Sequence, residues 1–371
     1  MEVEYYTQKF NTDNDLSNSV ILSKYRSAAD IVNAVLPQII SRIVPGASVS
    51  ELCKYGDQLI FSHTSKVYNK NKVEKGVALP TMICVNHCLQ YFSPLPENDI
   101  ILQHGDLVKV ELGVHIDGYI ASTAHTTILN PNPQQPIEGR SADAVAAAHF
   151  GAEVALKLLK AGNKGSDIVK AVNQVADAFK CIPVEGSIVQ QIRRYVLQAE
   201  NSAILNPNDG FPDGDFIINS NEVYTINILM STGNGLIRES DLKPTIYQRN
   251  VNEVYNLKLK AARTVFKKIS DNYSVFPFSL NSLENTRDRL GIPECVTHGL
   301  LRPYYVLLEN AGQAVVAQFK FTALVGTNGN ATRITSSLQL PYVYSEFSIP
   351  PETDIGKLLA NEIKSTKAKN I

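Results

Sequence analysis

The run GDLVKVELGVHIDGYIASTAHTTIL, residues 105–129, leaves a chain little freedom. It reads as two β-rich stretches joined at Asp117-Gly118, and Asp-Gly between such stretches is a strong hairpin signal. With a two-residue loop, residue 113 faces residue 122. Glu111 then shares a face with Ser122, diagonally across the ladder and within about 7–8 Å. Two acids in those places could grip a pair of metal ions, whereas one acid and a hydroxyl hold them weakly. Taken alone, the hairpin is also an ordinary pair of half-buried strands.

The rest of the chain supplies helices and further hairpins. Residues 17–43 carry apolar side chains at helical spacing, with Pro37 as an interruption. SVSELCKYGDQLIFSHTSKVY predicts a second helix with Ser48 or Ser50 as N-cap before Glu51. SADAVAAAHFGAEVALKLLKAGN and KGSDIVKAVNQVADAFK predict two more, the first ending near Gly162 and the second with Ser166 as a cap. NEVYTINILMSTGNG reads as a strand entering a glycine turn, NEVYNLKLKAARTVFKKI as a helix, and QAVVAQFKFTALVGTNGNATRIT as two strands around another glycine turn. Helix pairs alternating with antiparallel hairpins predict an α+β fold rather than a doubly wound sheet.

Bulk composition narrows the function. With 371 residues, 44% hydrophobic and 19% charged, the chain can bury a sizeable core. A formal net charge of −1 makes any nucleic-acid surface a local patch. The polar, acidic start is unlike a signal peptide, and no apolar run reaches the ~18 residues of a membrane span. Five scattered cysteines suit a reducing compartment. CVNHC groups Cys84, His87 and Cys88, but no second cluster completes a zinc site. STGNG and GTNGN lack the lysine of a phosphate loop and read as turns.

Three motifs in order, VKVELGVHIDGYIAS, NEVYTINILMSTGNG and VVAQFKFTAL, resemble the methionine aminopeptidase, or pita-bread, family over about residues 15–345. The segment between the last two resembles the helical insertion of the type II branch. The implied organisation is one domain, residues 1–345, with an insertion at about 249–310 and a C-terminal tail at 346–371. Active members hold two divalent metals with two Asp, one His and two Glu. Carried over in that order, these ligands fall on Glu111, Ser122, Gln190, Asn227 and Lys320. The family's substrate-side His falls on Tyr91 and its second active-site His on Gln198.

A two-metal hydrolase needs anionic oxygens and imidazoles to fix the ions and activate water. Here one acid remains, and two unit charges ~4 Å apart interact by ~4 kcal/mol at an effective dielectric of 20. Lys320 therefore opposes a dication, and no metal or other cofactor is expected. Two placements are open for Lys320: it reaches solvent from a strand end, or it takes the metals' place beside Glu111.

Motifs such as PTIYQRN, HGLLRPYYVL and VAQFKFT are similar to the proliferation-associated, or growth-factor-receptor-binding, proteins and their fungal curved-DNA-binding counterparts. That resemblance implies a monomeric non-peptidase in cytoplasm and nucleolus. It implies binding of ribosomal RNA and the large subunit near the peptide exit, with other RNA or DNA as further partners and no membrane. The basic candidates are Lys66, Lys70, Lys72 and Lys75 in a loop, and Lys260, Arg263, Lys267 and Lys268 on a helix whose apolar side carries Leu257, Ala261, Val265 and Ile269. Arg193 and Arg194 could add to them. The chain ends in KSTKAKNI where that group often has a lysine-rich tail. Two alternatives stay open: an active aminopeptidase with an altered site, and a peptide- or histone-binding module whose cleft Tyr91, Phe92 and the hollow around Asn227 would line.

Overall fold

The computed structural model describes residues 14–70, 73–206, 215–283, 285–335 and 338–360. Two helices come first, α1 (Ser19–Ile40) and α2 (Val49–Thr64). The Asn18 side chain accepts from the Val20 N–H, and the Ser48 hydroxyl accepts from the Glu51 N–H. Each satisfies a backbone donor that its own helix cannot. Helix α1 runs through Pro37 instead of stopping there. An interior proline costs about 3 kcal/mol. Val35, Leu36 and Ile39 are fully buried around it, and such burial is worth about 1.5–3 kcal/mol each, which outweighs the loss.

The central element is an antiparallel sheet, nine-stranded among the described residues. Its main strands are β1 (Lys75–Val85), β2 (Leu107–Ile116), β3 (Tyr119–Ile128), β4 (Ile188–Ile192), β5 (Ser202–Ile204), β6 (Val223–Ser231) and β7 (Val316–Val325). They lie side by side as β1-β2-β3-β7-β6-β4-β5, with Ile182–Pro183 and Ala331–Arg333 as short additions. The β2–β3 turn pairs Ile116 with Tyr119 and Gly113 with Ser122, the register expected of a two-residue loop. Asp117 and Gly118 both take positive φ, +55° and +80°. A Cβ on Gly118 would sit 2.5 Å from the Tyr195 ring, so only glycine fits.

Period-two alternation divides the sheet into two chemistries. Val108, Val110, Leu112, Val114 and Ile116 of β2 pack against α1 residues such as Ala28, Val32 and Val35. On the other half, Tyr224, Ile226, Ile228 and Met230 of β6 and Phe319 and Phe321 of β7 pack against α3 (Arg140–Leu158) and α4 (Gly165–Ala178). The intervening residues are polar and point to the helix-free face: Lys109 and Glu111, Ser122, Thr225 and Asn227, Gln318 and Lys320. Asp57 of α2 ties this body to the insertion, accepting from the Thr81 N–H and the Ser282 hydroxyl, each at 2.7 Å. Burial pushes its carboxyl up to about 6 against the pull of those bonds.

Five local expectations change. Helix α4 begins at Gly165 with Lys164 before it, and the Asp167 carboxylate accepts from the Lys164 N–H. Ser166 is not the cap; its hydroxyl donates to Asp215 at 2.7 Å. Helix α3 stops at Leu158, and Gly162 follows in a turn at φ +92°. Residues 252–259 are not helical, because the Glu294 carboxylate accepts from the Lys258 and Leu259 N–H groups and starts helix α5 (Lys260–Tyr273) there. Its buried stripe is Ala262, Val265, Ile269 and Tyr273, so Ala262 takes the place expected of Ala261. The segment expected as a tail is packed as far as Ala360: Ile355 is buried and Phe347, Ile349 and Leu358 lie against the α3–α4 core. The KSTKAKNI end lies outside the described residues.

Candidate functional site

The helix-free face of the sheet opens into a cavity of about 650 Å³. Its lining includes Glu111, Ser122, Gln190, Asn227 and Lys320, together with Tyr91 and Gln198. All seven positions singled out in the sequence therefore converge, from five strands and two loops. Phe92 does not join them; it is buried in the α1–α2 core, and the backbone turns at Tyr91 with φ +64°.

The cavity floor is an ion pair. Lys320 Nζ lies 2.6 Å from Glu111 Oε1, and both side chains are nearly buried. Of the two placements open from sequence, Lys320 takes the one beside Glu111. The sheet explains how residues 209 apart in sequence meet. Glu111 and Lys320 are each in register with Ala124 of the strand between them. Two strand spacings separate their backbones by about 9–10 Å. The methyl group of Ala124 leaves room for the lysine stem to cross.

Gln318 completes the network and went unnoticed in the sequence reading. Its side-chain amide donates to Glu111 Oε2 at 3.0 Å and to Asn227 Oδ1 at 2.8 Å. Alternation carried the signal, since Gln318 lies two residues from Lys320 and so on the same face. Both carboxylate oxygens of Glu111 are thus occupied by protein donors. Ser122 is held through its backbone, its N–H donating to Thr322 Oγ1 and its carbonyl accepting from the Thr322 and Thr335 hydroxyls. The Tyr91 ring lies 4.8 Å from that of Tyr304, and burial pushes its phenol well above the ordinary range, with Tyr304 and Glu111 adding to the effect.

This donor set does not fit a metal pair. Five acid or imidazole ligands would be required, and one carboxylate is present, already neutralised by an ammonium. Among the described residues no group of three or more His, Cys, Asp or Glu side chains could hold an ion. That includes Cys84, His87 and Cys88.

The basic candidates divide by what they touch. Lys66, Lys70, Lys260 and Lys267 are exposed. Lys75 donates to the Val67 carbonyl and, at 2.6 Å, to Asn69 Oδ1. The Arg263 guanidinium caps the carbonyls of Leu257 and Lys258 at 2.9 and 2.7 Å, and Lys268 pairs with Asp288 at 2.5 Å. Arg194 is committed to the hairpin turn, 2.6 Å from the Asp117 carboxylate that Lys24 also holds. Lys72 lies outside the described residues. Phe61 and Tyr273 stack edge-on at 6.1 Å, so the end of α5 lies beside the end of α2, where the lysine loop begins.

A large antiparallel sheet with paired helices on one face and a polar cavity on the other is the pita-bread fold of the methionine aminopeptidases. Residues 23–235 match the model of metallopeptidase family M24, and the chain belongs to that family. Within it, the chain groups with the proliferation-associated proteins and Arx1. It is 38% identical to proliferation-associated protein A of Dictyostelium discoideum, over 95% of this chain and 91% of that one. It is 32% identical to a Schizosaccharomyces pombe protein named probable metalloprotease arx1, over 94% and 95% of the two chains. The solved structure of a thermophilic Arx1 superposes with a TM-score of 0.83 at 27% identity, covering 92% of this chain and 98% of the other. No helix among the described residues is long and apolar enough to cross a membrane.

Proposed function

We propose that this protein is a non-catalytic M24 protein that binds RNA on the large ribosomal subunit near the peptide exit and so modulates translation or ribosome assembly. The observation that carries the loss of catalysis is the Lys320–Glu111 pair at 2.6 Å, an internal cation where active relatives hold metal ions. A metal entering there would have to displace an ammonium and then find neutral Ser122, Gln190 and Asn227 as partners. Asn227 and Ser122 cannot serve as general bases near neutral pH, and Glu111 is bonded through both oxygens. The RNA-binding half rests on the exposed lysines of the 65–70 loop and α5, which lie on neighbouring elements, and on family membership.

The test is sedimentation with 60S subunits in moderate salt, alongside elemental analysis and a Met-Ala cleavage assay with added cobalt or manganese. Co-sedimentation that falls when Lys260 and Lys267 are both reversed to Glu supports the reading. Arg263 is left unchanged because it caps backbone carbonyls. Protein that stays at the top of the gradient removes the ribosome reading, and two bound metals with methionine release removes the non-catalytic one. A second reading is favoured by the cavity itself, which keeps apolar walls at Leu79, Met82 and Ile188 and could take a peptide. Capture of N-terminal or histone peptides without ribosomes would select it.

A further inference from the structure

On the same face of β2 as Glu111, two residues away at Lys109, lies a cluster that none of the preceding functions uses. Strands β1 and β2 place Cys84 directly opposite Lys109. Cys88 opens the short strand that follows the turn at Asn86 and His87, which brings the two thiols close enough to act on each other and to feel the Lys109 ammonium. Lys109 is 1% exposed, and its Nζ donates to the Asn86 carbonyl at 2.8 Å, in the turn that connects the two cysteines. Burial pushes the Lys109 ammonium down to about 8, and the two sulfurs pull the other way and favour its charged form.

We propose that Cys84 and Cys88 form a redox pair, converted by a peroxide into a disulfide, with Lys109 as the cation that holds the attacking sulfur. The Cys84 sulfur attacks the peroxide O–O bond, giving a sulfenic acid and releasing water or an alcohol. The Cys88 sulfur then displaces the hydroxyl as water, so the two thiol hydrogens leave and the peroxide is reduced. The direction is set by the local charges. Burial alone would raise the Cys84 thiol, but the Cys88 hydrogen bond and Lys109 outweigh it and bring Cys84 below the usual range. Giving that hydrogen bond, together with burial, pushes Cys88 up. Cys181 has the Arg140 guanidinium 4.0 Å from its sulfur, but burial outweighs that cation and holds Cys181, like Cys295, up at about 11. The product would tie the end of β1 to the strand Cys88–Gln90, which leads into Gln90 and Tyr91 on the cavity wall.

The sequence makes the test clean. No Lys or Arg lies between Gly76 and Val108, so one tryptic peptide, residues 76–109, carries both cysteines. The folded full-length protein is treated with hydrogen peroxide, alkylated, digested and mapped by mass. The expected result is a 76–109 peptide lighter by two hydrogens and unalkylated, formed while Cys53, Cys181 and Cys295 still alkylate, and reversed by a thiol reductant. Cys88→Ser should stop at a Cys84 sulfenic acid that dimedone traps. Lys109→Met, checked for folding by circular dichroism, should oxidise about tenfold more slowly, the effect of roughly one pKa unit on the thiolate. A 76–109 peptide that stays doubly alkylated overturns the proposal, as does a folded Lys109→Met that oxidises at the wild-type rate.

Discussion

Replacing Lys320 with methionine removes the ammonium and leaves the Glu111 carboxylate with only the Gln318 amide. At the observed 2.6 Å the gross attraction is about 6 kcal/mol at an effective dielectric of 20. Desolvation of two nearly buried ions consumes most of that, so the intact pair is worth little net. The single replacement is different, because it strands a buried charge. Lys320→Met should destabilise the chain by about 3–5 kcal/mol. Adding Glu111→Gln removes the stranded charge and keeps a hydrogen-bonding group for Gln318. The double variant should therefore recover about 2–3 kcal/mol relative to the sum of the singles. Urea unfolding followed by circular dichroism, on all four members of the cycle, measures that coupling. A coupling below about 0.5 kcal/mol would refute the reasoning, since it would mean that the two groups do not act on each other in solution.

Ala124→Leu should produce a similar loss of coupling without touching either charge, because the larger side chain fills the space the lysine stem crosses. Its own overpacking cost is about 1–3 kcal/mol, and an unchanged Lys320–Glu111 coupling in that background would rule the crossing out. Asp57 should make stability fall with rising pH. Its folded carboxyl sits at about 6, above an unfolded value of ~3.9, so the stabilisation is complete below ~pH 4 and lost as pH rises through 6. The window is worth roughly 3 kcal/mol, and Asp57→Asn should flatten it in melting curves taken from acid to neutral pH. Finally, Ser122→Asp, Gln190→His, Asn227→Glu and Lys320→Glu together should restore manganese binding by calorimetry. A folded fourfold variant that takes up no metal would break the correspondence of those positions with the family's ligands.

The legible part of this protein is the part encoded by local chemistry. Asp117-Gly118 determined the turn, the turn determined the register, and the register placed Glu111 and Ser122 on one face. The family motifs located Asn227 and Lys320 on their strands because strand order and length are written in the chain. Side-chain alternation would have disclosed Gln318 as well, two residues from Lys320, had the whole face been read instead of the ligand positions alone. Helix starts were less legible. The start of α5 depends on Glu294, which caps it from 35 residues further along the chain, so local propensity ran past the true boundary. The same holds at the C-terminal end, where apolar residues that look like a loose tail dock on a core assembled much earlier in the chain.

By itself the sequence determined that the five positions the resemblance assigns to ligands hold one acid, one hydroxyl, two amides and a lysine, and residue type alone decides what an atom can donate to a cation. Whether Lys320 faced solvent or Glu111 was a tertiary matter. It depended on β7 lying beside β3, on Ala124 standing in register with both residues, and on the small side chain there. The same holds for the basic residues. Sequence shows their charge, but only packing shows that Arg194 is half-buried on Asp117 and that Arg263 and Lys268, exposed like Lys66, Lys70, Lys260 and Lys267, also bond within the chain. Ionisable groups announce their charge in the chain, and their partners are chosen by the neighbours that folding brings within a few ångströms.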